Sequence, residues 1–289
     1  AAPIFFPANK GHIKMTNLEL GFWSFPVLLL MIFLRAPIGL AMLLCGFGGW
    51  YLAMGGNPTP LLSKLKSETY TTFSSYSLSI IPMFLLMGQF ATLSGMSQAL
   101  FKAAESFLGH RRGGVAMAAV GACAGFGAIC GSSLATAATM SKVALPELRR
   151  YGYSGGFSTA TLAAGGTLGI LIPPSVILVI YAILTEQNIA KLFLAAFLPG
   201  VLAAIGYVIT ISIYVRLNPK SAGVRPAVPM GDRFKALANT WPVLVIFFVV
   251  VGGIYLGWFT PTEGAAVGAA GTGLAALLAG SLNWTVLRE

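Results

Sequence analysis

Apolar residues in this chain come in long uncharged runs separated by short basic clusters, and the run lengths set the expected elements. Residues 22–34 and 37–53 are apolar and parted only by Arg35 and Ala36, which predicts two antiparallel helices joined by a tight turn. Residues 61–70 mix Lys64, Lys66 and Glu68 with apolar positions and read as a helix lying at the membrane interface. Residues 77–93 read as a span, with Pro82 near its start. Residues 98–108 place Leu100, Phe101, Ala104, Phe107 and Leu108 at helical spacing, with Lys102 and Glu105 elsewhere on the wheel. They predict a second interfacial helix.

The next run decides the architecture. Between Arg112 and Lys142 stand 29 uncharged residues, 113–141. One span takes roughly 20 apolar residues and two take ~40, so the chain must turn inside the bilayer. Gly127, Gly131, Ser132 and Ser133 interrupt the aliphatic residues where a reversal is possible, because they tolerate unusual dihedrals or bond to nearby backbone. Arg111 and Arg112 before the run, and Lys142, Arg149 and Arg150 after it, put both of its ends on the cytoplasmic side. Residues 113–145 are therefore expected to form a re-entrant helical hairpin with its tip at Gly131, Ser132 and Ser133.

Small residues at such a tip can also serve only to pack helices closely. The following segment favours a functional tip. Residues 151–185 are uncharged and are broken in their middle by Gly165, Gly166, Gly169, Pro173 and Pro174, where two prolines remove backbone donors. Broken backbone at membrane depth cannot face lipid, since each unsatisfied group costs several kcal/mol. Two broken elements in succession point to a secondary transporter, whose half-helix ends and freed carbonyls hold substrate and coupling ions.

Downstream, residues 192–215 return to Arg216, and a loop over 218–230 leads to Arg233 and Lys235. Residues 241–259 exit, 260–263 turn, and 264–282 come back. On this path every basic cluster from Arg35 onward, except Lys64/Lys66 and Lys191, falls on the cytoplasmic side. Glu263, in TPTEG, is expected to cap a helix start, where a carboxylate favours the helix dipole.

Composition agrees. Hydrophobic residues make up 56% and charged ones 9%, with a mean hydropathy of +0.82, whereas soluble domains carry about 25% charge. The net charge of +10 is explained by topology rather than nucleic-acid binding, because the basic residues sit between apolar runs and not on one face. Cys45, Cys123 and Cys130 lie within apolar runs without metal-ligand spacing, and His12 and His110 lie outside the spans. The span interiors hold no Asp, Glu, His or Lys, which leaves an enzyme no acid, base or activated nucleophile. The fold class expected is an all-α polytopic membrane protein.

Four stretches carry a family resemblance: IIPMFLLMGQFATLSGM, GAICGSSLATAATMSKVALPELRRYGY, AAGGTLGILIPPSVILVIYAILTEQNIAKLFLAAFLPG and GIYLGWFTPTEGAAVGA. In them the chain resembles the large membrane subunit of tripartite ATP-independent periplasmic (TRAP) transporters, the DctM-like family. The resemblance implies an inverted-repeat, elevator-type permease of the bacterial inner membrane. It also implies a small four-helix membrane subunit, a periplasmic solute-binding protein and Na+ as coupling ion. The cargo implied is an organic acid such as a dicarboxylate, keto acid or sialic acid. Gly131, Ser132, Ser133 and Thr136 would form the hairpin tip, facing a break at Gly165, Gly166, Thr167 and Gly169 to Pro173 and Pro174. Na+ would be held by backbone carbonyls and hydroxyls around Ser132, Ser133, Gly166 and Thr167. The nearest rival is a sodium-coupled anion carrier of the related ion transporter superfamily that works without a binding protein.

Neither motif recurs between Arg216 and Glu289, so the resemblance covers about the first two thirds of a family member, and a sequence cut short before its second repeat is expected. The segments expected are a leader at 1–14 and spans with interfacial helices, forming a scaffold, at 15–110. Residues 111–190 hold the hairpin and broken helix, as part of a transport domain. Residues 191–289 hold further spans and the start of the second repeat.

Overall fold

A computed structural model describes residues 16–282, so the leader expected at residues 1–14 lies outside the described residues. Within them every regular element is helical. In hydrocarbon a helix satisfies its own backbone, and an open sheet edge would not.

The chain divides after Ser74. In the first unit α1 (Asn17–Phe33) packs on α2 (Ile38–Ala53), and α3 (Pro58–Ser74) follows. Thr16 starts α1 with a capping box: its N–H donates to the Glu19 carboxylate at 2.7 Å, and Glu19 N–H donates to the Thr16 hydroxyl at 3.3 Å. The turn between α1 and α2 is as tight as expected, with Arg35 at a left-handed φ of 66°. Both helices show large apolar side chains outward, among them Phe22, Trp23, Phe33 and Leu40. In water that surface would be an aggregation liability, and in a bilayer it meets lipid or another membrane chain.

The second unit begins with a 3-10 turn (Tyr76–Ser79) that runs into α4 (Ile80–Leu93), then α5 (Met96–Leu108). The expected hairpin is present as α6 (Gly114–Cys130) and α7 (Ser133–Arg150). The broken segment comprises α8 (Gly155–Gly166), the short α9 (Leu168–Leu171) and α10 (Val176–Leu184). After it come α11 (Ile189–Leu217), α12 (Met230–Ala238), α13 (Trp241–Phe247), α14 (Gly253–Tyr255) and α15 (Pro261–Leu278). A π turn, Phe248–Gly252, links α13 to α14 and interrupts what reads in sequence as one continuous span. Tyr76–Leu93 and Ile189–Leu217 are long and apolar enough to cross a membrane. Gly155–Leu171 with Val176–Leu184, bent by 43°, and Met230–Ala238 with Trp241–Tyr255, bent by 46°, are each apolar enough as a pair.

Helix α6 is the core. Val115, Ala116, Val120, Cys123, Phe126 and Ile129 along it are almost fully buried, and it touches α4, α5, α7, α8, α9 and α11. Its run of Ala, Gly and Cys lets so many helices approach one axis, which is how membrane helices gain contact when lipid supplies no hydrophobic driving force.

The base of the hairpin folds back on itself. Val115 N–H donates to the Tyr153 hydroxyl at 3.3 Å, which ties the start of α6 to the chain leaving α7. The loop after α11 straps this base: Ser154 N–H donates to Ser221 O at 3.0 Å, and Arg225 N–H to Gly109 O at 3.1 Å. Under the strap Arg225 pairs with Glu105 at 2.9 Å. Glu105 is 5% exposed, so this carboxylate on α5 is not on a free polar face as the wheel suggests, because the strap supplies it a buried cation. Burial pushes its pKa up, and Arg225 opposes the rise.

Candidate functional site

Helix α6 ends where Gly131 turns left-handed (φ 64°), with its N–H donating to Gly127 O at 2.8 Å. Ser132 is extended (φ −135°, ψ 127°) and opens α7 as its N-cap, its hydroxyl accepting from Ala135 N–H at 3.4 Å. The break downstream is built alike. Ile172 is extended, Pro173 and Pro174 share a cis peptide bond, and Ser175 (φ −132°, ψ 124°) caps α10 by accepting from Leu178 N–H at 3.4 Å.

These two turns face each other. Val176 N–H donates to Gly131 O at 3.2 Å, across the gap between hairpin and break. The approach is close enough to demand glycine. A Cβ on Gly169 would lie 2.5 Å from Thr136 Oγ1 and 2.9 Å from Ser132 O. One on Gly127 would lie 2.5 Å from the Gly169 Cα.

The site therefore gathers Gly131, Ser132, Thr136, Gly169 and Pro174, with Pro173 buried beside it. Ser133 is the first residue of α7 and half-buried. The other expected positions look elsewhere. Gly165 meets the Cys123 thiol of α6, and Gly166 meets Ala137 of α7. The Thr167 hydroxyl donates to Ala164 O at 2.7 Å and pairs with the Tyr207 hydroxyl at 2.9 Å, so it turns toward α11. The sequence marks Gly127 as an interruption of the apolar run but not its partner, another glycine 42 positions away, and Tyr207 gives no local signal at all. Ser175 had one: a serine just before the apolar run VILVIYAIL is an N-cap pattern.

The polar atoms at this junction are short of partners. Thr136 is fully buried, and its Oγ1 makes no hydrogen bond of standard geometry among the described residues, its nearest polar neighbour on α6 being the Cys130 thiol. The carbonyls of Ile172, Pro173 and Pro174 accept no hydrogen bond from described residues either. Of these oxygens, the Pro174 carbonyl lies against Gly131 and Thr136 Oγ1 against Gly169, and freed oxygens of this kind suit a cation. The positive amino-terminal ends of α7 and α10 meet at the same junction and suit an anion. No charged side chain lies in residues 113–141 or 151–185, so backbone and hydroxyl dipoles supply the site's polarity.

Comparison with known proteins identifies the family. The family model of the tripartite ATP-independent periplasmic transporter, DctM component, matches residues 25–289. The chain belongs to the DctM family. Among curated DctM relatives, it is 39% identical over 214 residues to a C4-dicarboxylate TRAP transporter large permease of Pseudomonas aeruginosa, covering 74% of this chain and 50% of that one. It is 31% identical over 272 residues to an isethionate TRAP transporter permease of Oleidesulfovibrio alaskensis (93% and 40%). It is also 31% identical over 237 residues to an ectoine TRAP transporter large permease of Halomonas elongata (82% and 54%). The chain spans about half the length of the curated relatives it matches. It is thus a polytopic membrane chain of the DctM family, and the rival carrier class falls away.

Proposed function

We propose that this chain forms part of the large permease of a sodium-coupled TRAP transporter that imports a small organic acid. The observation that carries the proposal is the contact between Gly131–Ser132 and Pro174–Val176, at which the Pro174 carbonyl beside Gly131 and Thr136 Oγ1 beside Gly169 stand without hydrogen bonds among the described residues. Na+ would sit among these oxygens, with Ser132 and Ser133 close by. The acid would bind beside it at the amino-terminal ends of α7 and α10, which attract negative charge without a buried arginine. Na+ would lower the cost of placing an anion there, which is the physical basis for moving the two together.

In this reading the hairpin and break belong to one half of an inverted-repeat, elevator-type permease in the bacterial inner membrane. A periplasmic binding protein would deliver the acid, and a small membrane subunit would complete the assembly. Gly165 and Gly166 would set helix spacing, and Thr167 would hold the break against α11. The relatives' names cover C4-dicarboxylate, isethionate and ectoine, so the binding protein is the better guide to substrate.

The test uses the full-length permease with its small subunit and binding protein in proteoliposomes. Uptake of the ligand found by a thermal-shift screen of the binding protein should require an inward Na+ gradient and the binding protein. Uptake that persists without Na+, driven by a proton gradient alone, would refute the coupling.

A further inference from the structure

Away from the hairpin tip, Arg111 and Arg112 in the turn before α6 and Arg216 in the last turn of α11 line one cavity of about 570 Å3. Its other walls are apolar, including Met117 of α6 and Val208 and Ile209 of α11. The cavity exists because Gly113, at a left-handed φ of 75°, brings the start of α6 against the end of α11: a Cβ there would lie 3.0 Å from Val215 Cγ2. That contact sets the arginine-bearing turn beside Arg216.

None of the three arginines forms an ion pair among the described residues, although Arg225 and Arg150 at the same base do. Three guanidinium groups around one cavity repel one another, and an anion between them removes that cost. The rest of the cavity says what kind of anion. Its apolar wall continues along α11, where Leu202, Ile205 and Ile209 face outward as they would toward lipid. A small soluble anion gains nothing from such a wall, whereas an acyl chain fills it. Basic pockets between membrane helices on the cytoplasmic side are suited to phospholipid headgroups.

We propose that Arg111, Arg112 and Arg216 form a headgroup site for an anionic phospholipid of the cytoplasmic leaflet, with an acyl chain lying along Val208 and Ile209. Bound there, the lipid links the turn that feeds the hairpin to the end of α11. This inference is independent of the transported substrate.

The test is native mass spectrometry of the full-length permease released from nanodiscs of equal phosphatidylglycerol and phosphatidylcholine. The wild type should retain phosphatidylglycerol preferentially. Since one basic residue near the surface contributes roughly fivefold in affinity, the triple variant R111Q/R112Q/R216Q should lose that preference by at least about tenfold. The variant R149Q/R150Q/K220Q removes equal charge at the same end and should change it by less than about twofold. Ser212→Phe, which fills the cavity and keeps its charge, should lose the preference too. Equal losses in both triple variants, or no loss in R111Q/R112Q/R216Q or Ser212→Phe, would overturn the proposal. Displacement of the lipid by millimolar inorganic phosphate would overturn it as well.

Discussion

The tip of the hairpin and its base are made from the same two helices and solve opposite problems. At the tip, where Gly131 and Ser132 meet Pro174 and Ser175, polarity comes from backbone and hydroxyl groups and glycine lets the two turns close on each other. At the base, full charges do the work: Arg150 pairs with Glu147, Arg225 with Glu105, and the loop after α11 straps the hairpin's ends together. A charge at membrane depth costs several kcal/mol, whereas dipoles fixed by helix ends are already paid for by folding. The charges therefore stand at the base and the uncharged, oxygen-bearing turns at the tip.

The strongest way to break the comparison is by topology. Cysteines placed at Arg112 and Arg150, exposed positions on either side of the base, should both be labelled from the cytoplasm and not from the periplasm. Labelling of the two from opposite sides would abolish the distinction between tip and base. Next in size is Gly169→Val, whose side chain would press on Thr136 and on the Ser132 carbonyl. It should cost about 3 kcal/mol, since backbone cannot yield as a flexible side chain would, and abolish uptake by the full-length permease. A wild-type melting temperature would show that the two turns do not touch.

Glu105→Ala should cost about 2 kcal/mol by stranding Arg225, and most of that loss should vanish when Arg225 is also replaced, in a double-mutant cycle. Its pH dependence sharpens the point. A carboxylate whose folded pKa is raised contributes most below its ordinary value of 4.5, and that contribution fades as pH rises through the raised value. Glu105→Gln should therefore flatten the fall in stability above pH 4.5, measured by thermal melting across that range. The smallest expected effect is Thr260→Ala, at the start of α15. It removes the hydroxyl that accepts from Glu263 N–H at 3.3 Å, one half of the capping box, and should cost about 1 kcal/mol.

The tip was legible in sequence because its logic is local. A run of 29 uncharged residues flanked by arginine and lysine fits one re-entrant hairpin and little else, and two adjacent prolines within an apolar run mark a break wherever they fall. Glu263 was legible for the same reason, as Thr260 stands three residues before it. The base was not. Glu105 reads as a solvated wheel position until the strap carries Arg225 to it from 120 residues away. Likewise Thr167 reads as a ligand of the break until Tyr207, 40 residues on, takes its hydroxyl. Long-range pairing is set by how helices stack, and hydrophobic periodicity does not encode it.

The account's central claim, that the tip holds the coupling ion, is tested most directly at Thr136. Replacing it with valine keeps the shape and removes the hydroxyl that makes no hydrogen bond of standard geometry among the described residues. In the full-length permease, Thr136→Val should leave the melting temperature unchanged or slightly raised, since an unsatisfied buried hydroxyl only costs stability. The Na+ concentration for half-maximal uptake should rise about tenfold, the loss of roughly 1.4 kcal/mol of cation binding. An unchanged Na+ titration in a stably folded Thr136→Val permease would contradict the account and return the tip to helix packing alone.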